Sequence, residues 1–179
     1  MSKKKNISAD RIVGFSAIFI SMLSLFIFSK QTAIIQQQGE LSALPYLVVE
    51  TGYDPDEYLI TYTLNNYGIG PAIIEEMVFK YNDERHRTDL FHFVQNDFFK
   101  KDSLTIVSGA TFDAGLAIPA GEERIMLSVG GSQKAYDRGK KFFERLIEKE
   151  ELDYEIKYSS IYNKIWSISR NGTKPVSIK

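Results

Sequence analysis

Chemistry in this chain has few places to start. The two histidines, His86 and His92, stand six residues apart, with Arg85, Arg87 and Asp89 around them. An imidazole can move a proton near neutral pH and a guanidinium can hold an oxyanion. Arg87 and His92, five residues apart, are the pair to weigh for such chemistry. On one continuous helix those two side chains sit about 140° apart, whereas Arg85, Asp89 and His92 share a face. That geometry favours a solvated Arg85–Asp89 pair with His92 beside it. No metal or cofactor is expected: cysteine is absent, and the histidines lack the i, i+4 spacing of a helical zinc site. The acid pairs Glu75-Glu76 and Glu122-Glu123 are neighbours in sequence, so along a strand each pair points to opposite faces. Gly68 and Gly70 are not followed by the helix and lysine of a phosphate loop. The expectation is a protein that is not an enzyme.

The elements that would position these groups begin after residue 43. Tyr46–Glu50, Tyr58–Leu64 and Ile73–Tyr81 read as strands, with a turn at Asp54-Pro-Asp56 and a loop at Asn65–Ala72. Ser103–Val107, Arg124–Val129, Leu152–Ser160 and Lys164–Ser169 continue the pattern, the last two as a hairpin around Tyr162-Asn163. Helices are expected over Glu84–Lys100 and Gln133–Glu151, the second capped by Ser132 and burying Tyr136, Gly139, Phe143, Leu146 and Ile147. Seven strands and two helices predict an α+β domain, a β-sandwich with two helical insertions.

Ahead of that domain, residues 12–29 form eighteen residues without a charge. As a helix they rise about 27 Å, close to the hydrocarbon core of a bilayer. The run is longer than a signal-peptide core and leads into Lys30-Gln31 instead of a small-residue cleavage site. The sequence thus divides into a basic tail at 1–11, a transmembrane helix at 12–29, a helical stalk at 30–43 and a β-rich soluble domain at 44–179. Within the span Gly14, Ala17, Ser21 and Ser24 recur at heptad spacing, a stripe of small residues suited to helix packing or to lining a narrow pore. The phase continues through Gln31, Ile35 and Gln38, candidate contacts between equivalent stalks, and Gly39 reads as the helix stop.

Residues 1–40 hold five basic and two acidic side chains, leaving 17 basic against 21 acidic, a net of −4, for residues 41–179. An acidic domain is a poor footprint for RNA or DNA, so no direct nucleic-acid contact is expected. Lys3, Lys4, Lys5 and Arg11 outweigh Lys30 across the span, and the positive-inside rule then keeps the N-terminus cytoplasmic and exports the domain.

The single span, the glutamine-rich stalk, Leu44-Pro45-Tyr46, Asn66–Ala72, and Tyr158–Tyr162 with Trp166 resemble small bacterial membrane-anchored β-sandwich proteins. Arg87 and His92 resemble the Arg/His pair of HEPN ribonucleases, although those folds are helical and carry a polar amide or imidazole residue where this chain has Thr88. Together with the chain length, these features resemble the membrane accessory proteins of type VI-B CRISPR systems. The resemblance implies a homo-oligomeric ring of about eight subunits in the bacterial inner membrane. Such a pore would depolarise the cell in support of an RNA-guided RNA nuclease, with the soluble domain cytoplasmic and Arg87 and His92 structural or interface residues. Two alternatives stand beside it: a membrane-tethered module that recruits a protein partner, and a membrane-tethered HEPN-like RNase.

Overall fold

The structure, a computed structural model, describes residues 9–82, 84–98, 104–148, 152–172 and 174–178, without the side chains of Asp97 and Ile147. The chain divides into two compact units, residues 1–41 and residues 42–179. Most of the basic tail, residues 1–8, lies outside the described residues.

The first unit is helical. Helix α1 runs Ala9–Ser42 without interruption, so Gly39 lies inside it and does not stop it. Its 34 residues rise about 51 Å. None of its residues is buried, and it is long and apolar enough to cross a membrane.

The second unit is α+β, with a core of its own. Its elements are β1 (Leu47–Asp54), β2 (Leu59–Asn66), β3 (Ala72–Tyr81), β4 (Glu84–His86), α2 (Leu90–Asp97), β5 (Ile106–Gly109), β6 (Ala117–Ile118), β7 (Glu123–Gly130), α3 (Gln133–Glu148), β8 (Leu152–Ser159), β9 (Ile165–Ser169) and β10 (Val176–Ile178). One antiparallel sheet has the order β1-β2-β7-β5; the other has the order β10-β9-β8-β3-β4, with β6 paired to β3. Apolar residues of both sheets join one buried cluster, Ile60, Leu64 and Leu127 from the first and Ile74, Phe79, Ile156 and Tyr158 from the second. Phe93 and Phe98 from the α2 segment and Phe142, Phe143 and Leu146 from α3 complete it, with Phe98 and Phe142 in edge contact at 5.0 Å.

Helix α3 begins as the sequence suggests. Ser132 accepts the Ala135 N–H at 3.3 Å, and Tyr136, Phe143 and Leu146 are buried. The region before α2 differs. Residues 84–97 are not one helix: Asn82 takes a left-handed φ of 49°, and β4 folds back on β3 with Phe79 opposite His86. A fresh helix starts at Leu90, capped by Asp89. Two short strands, β6 and β10, carry too few residues for an alternation to be read.

Candidate functional site

Two places in the chain collect side chains that could act. The first is α1. Two of its hydroxyls bond back to the helix itself: Ser21 donates to the Ala17 carbonyl at 2.8 Å and Thr32 to that of Phe28 at 2.9 Å. A Cβ added at Gly14 meets nothing within 4 Å, so the small-residue line is open to a close neighbour. Beside that line runs a second one that the small residues obscured. Val13, Ile20, Ile27, Ile34 and Leu41 recur every seven residues, and all are exposed. The first four each stand four residues before Ala17, Ser24, Gln31 or Gln38, so the two lines form one contiguous arc. Beyond Ser29 the large apolar residues Ile34, Ile35 and Leu41 all fall on that arc. Lys30, Gln36, Gln37 and Glu40 fall off it, with Gln36 bonded to Glu40 at 3.4 Å. A count at intervals of seven finds this second line directly in the sequence.

The second place is a cleft of about 300 Å³ in the β-rich unit, where β3, the start of α2 and residues 111–114 meet. Arg87 and His92 both line it, although they share no helix. Asp89 organises its floor. One carboxylate oxygen accepts the His92 backbone N–H at 2.8 Å, the other accepts the Phe112 N–H at 3.4 Å, and the His92 Nδ1 lies 2.8 Å from the latter oxygen. Asp89 is buried while His92 is partly exposed. The expected Arg85–Asp89 pair is not formed: Arg85, on β4, reaches Glu155 at 3.8 Å.

Glu75 and Glu76 do not point to opposite faces. The pairing of β3 with β8 shifts between Ile74 and Glu76, a bulge that turns both acids outward into the same cleft. Glu75 accepts from the Ser159 hydroxyl, and Glu76 binds Lys157 and Arg87, each at 3.0 Å. Those two cations hold the Glu76 carboxyl below the ordinary carboxylate value, Lys157 contributing most. Inward Ile74 and Met77 are three residues apart instead of two, and that spacing is the sequence mark of the bulge.

Electrostatically the cleft is acidic, with Glu75, Glu76, Asp89 and Asp113 against Arg87, whose charge Glu76 already engages. Glu122 and Glu123 lie apart from it, Glu122 being 3.2 Å from Arg124. Among the described residues no cluster of three metal-ligating side chains occurs. The chain matches no protein-family model and no curated protein.

Proposed function

We propose that the chain is a homo-oligomeric membrane pore, with α1 as its single span and the two sheets as a β-sandwich bearing α2 and α3 as insertions. The observation that carries this reading is the continuous arc on α1. Within the bilayer it offers the small residues Gly14, Ala17, Ser21 and Ser24, which allow helix backbones to approach. Beyond the uncharged run it offers Ile34, Ile35 and Leu41, which an isolated helix leaves exposed and a ring of like helices buries. Gln31 and Gln38 on the same arc can then bond across equivalent helices. The resemblance to the type VI-B CRISPR membrane accessory proteins adds the context, depolarisation of the bacterial inner membrane beside an RNA-targeting nuclease.

The acidic cleft supports a structural part for Arg87 and His92. A phosphodiester entering it meets four carboxylates and an arginine already paired at 3.0 Å, and like charge there costs binding. The cleft also supports the second reading, a tethered module that recruits a protein partner.

The test is the mass of the detergent-solubilised full chain together with ion leakage from vesicles. A monodisperse assembly well above twice 20.4 kDa is expected. Ser21→Phe and Ser24→Phe should abolish leakage while the circular dichroism of the domain is unchanged. A monomer, or leakage indifferent to both replacements, overturns the pore and leaves the tethered module.

A further inference from the structure

Between residues of the two sheets lies a cavity of about 180 Å³ that shares no lining residue with the acidic cleft. Thr51, Tyr62 and Met126 border it from the first sheet, and Phe79, Tyr154 and Ile156 from the second. Phe79, Met126 and Ile156 are buried, whereas Thr51 is exposed and Tyr154 partly so, which gives the cavity a closed floor and an open rim. The rim lies beside β1, the edge strand of its sheet, so a molecule can enter without parting a strand pair.

A β-bulge shapes one wall. Tyr62 stands opposite Leu127 and Thr63 opposite Ile125, so Met126 has no partner across the strand pair, and it is buried together with Leu127. The bulge turns the Met126 side chain to the cavity beside Tyr62. Its thioether chain is unbranched and adapts to what it touches.

Tyr62 is the residue that points to a ligand. It is only 9% exposed, and its ring packs on Phe143 with centroids 4.8 Å apart. Its hydroxyl is shut away from solvent and has no hydrogen-bond partner among the described residues. Burial pushes the ionisation of that hydroxyl far above its ordinary range, so it stays an O–H at physiological pH. An unpaired hydroxyl away from water destabilises a fold, and phenylalanine would pack on Phe143 without that loss. A hydrogen-bonding molecule in the cavity would recover it.

The chemistry of such a molecule is narrow. An apolar cavity of about 150 Å³ takes up benzene, so this one has room for a single ring with a substituent. Arg170 is the one charged residue bordering the cavity among the described residues, and its Nη1 donates to the Leu152 carbonyl at 2.6 Å. A charged ligand would lose its hydration over a floor of aromatic and aliphatic groups. An uncharged ring avoids that loss, and a hydroxyl on it can donate to Tyr62 or accept from it.

We propose that this cavity binds a small uncharged aromatic molecule of the phenol class, with the Tyr62 hydroxyl as its polar partner. The inference goes beyond the pore and needs only the β-rich domain.

The test uses the full chain in lipid nanodiscs, with its four methionines carrying 13C in the methyl group. Phenol and toluene, near-isosteres that differ in the hydroxyl, are titrated in turn. Met126 reports the cavity, Met77 the acidic cleft, and Met22 in the apolar helix the uptake of probe by lipid. Phenol should move the Met126 resonance saturably through its ring current, while Met77 stays in place and Met22 drifts in proportion to added probe. On Tyr62→Phe the affinity ratio of phenol to toluene should fall by about fivefold, the weight of one hydrogen bond. An unmoved Met77 resonance checks that the variant is folded. A Met126 resonance that saturates with neither probe in the parent chain overturns the site, whatever the variant does. Saturation with both probes and a ratio indifferent to Tyr62→Phe overturns Tyr62 as the partner, and the phenol class with it.

Discussion

A single carboxylate shows how the cleft residues act through one another. Glu76 sits between Lys157 and Arg87, each at 3.0 Å, and their charges lower its affinity for a proton below the ordinary value of 4.5. A depressed carboxylate contributes stability that is present above its unfolded pKa and lost as pH falls through the folded one. Glu76→Gln should therefore destabilise the domain at neutral pH by less than about 1 kcal/mol, because all three side chains are partly solvated. The difference from the parent chain should shrink below pH 4.5 and vanish once both are protonated or neutral. Urea titrations at neutral and acid pH check this; a penalty that persists in acid would mean that the side chain acts through packing. The same arrangement explains why a phosphate-binding part for Arg87 has little room, since any anion must first displace Glu76.

At the level of the element, Asp89 decides where α2 begins. Its carboxylate takes two backbone N–H groups and the His92 ring, so it caps the helix and ties the segment at Phe112 to it. Asp89→Ala should cost about 1–2 kcal/mol in thermal or chemical unfolding, with Asp89→Asn recovering most of the loss because an amide oxygen still accepts from the helix N-terminus. Equal losses for Ala and Asn would place the weight on the charge beside His92 and not on the cap. The capping geometry also marks where the sequence was legible and where it was not. Helix α3 could be read because Ser132 and the spacing of Tyr136, Phe143 and Leu146 state one period over four turns. Glu84–Lys100 misled because its apolar positions, Leu90, Phe93, Val94 and Phe98, cover only the second half of the stretch. The first half is short and polar, and its strand conformation comes from pairing with β3 after the left-handed turn at Asn82. Likewise the cleft depends on a bulge in β3: Glu75 and Glu76 are plain in the sequence, but their shared face follows from a register shift against β8, about eighty residues away.

For the whole molecule, the two units solve the problem of apolar surface in different ways. Residues 42–179 bury Leu47, Ile60, Leu127, Ile156 and Tyr158 among themselves, and burial raises the Tyr158 hydroxyl to a pKa of about 12 despite the Leu47 N–H that donates to it. No residue of α1 is buried. Lipid can cover its bulky faces, but lipid does not cover Ile34, Ile35 and Leu41 beyond the uncharged run as well as a like helix does. Removing residues 1–41 should therefore leave a cooperatively unfolding domain that needs no detergent to fold, and should remove self-association with it. Sedimentation of that fragment is expected to give a monomer, while the full chain in mild detergent gives an assembly lost on Ile34→Glu with Leu41→Glu. A fragment that still assembles would locate the association in the β-rich domain, and the arc on α1 would then serve only to anchor it. A fragment that fails to fold would mean that the buried cluster of the domain depends on the helix.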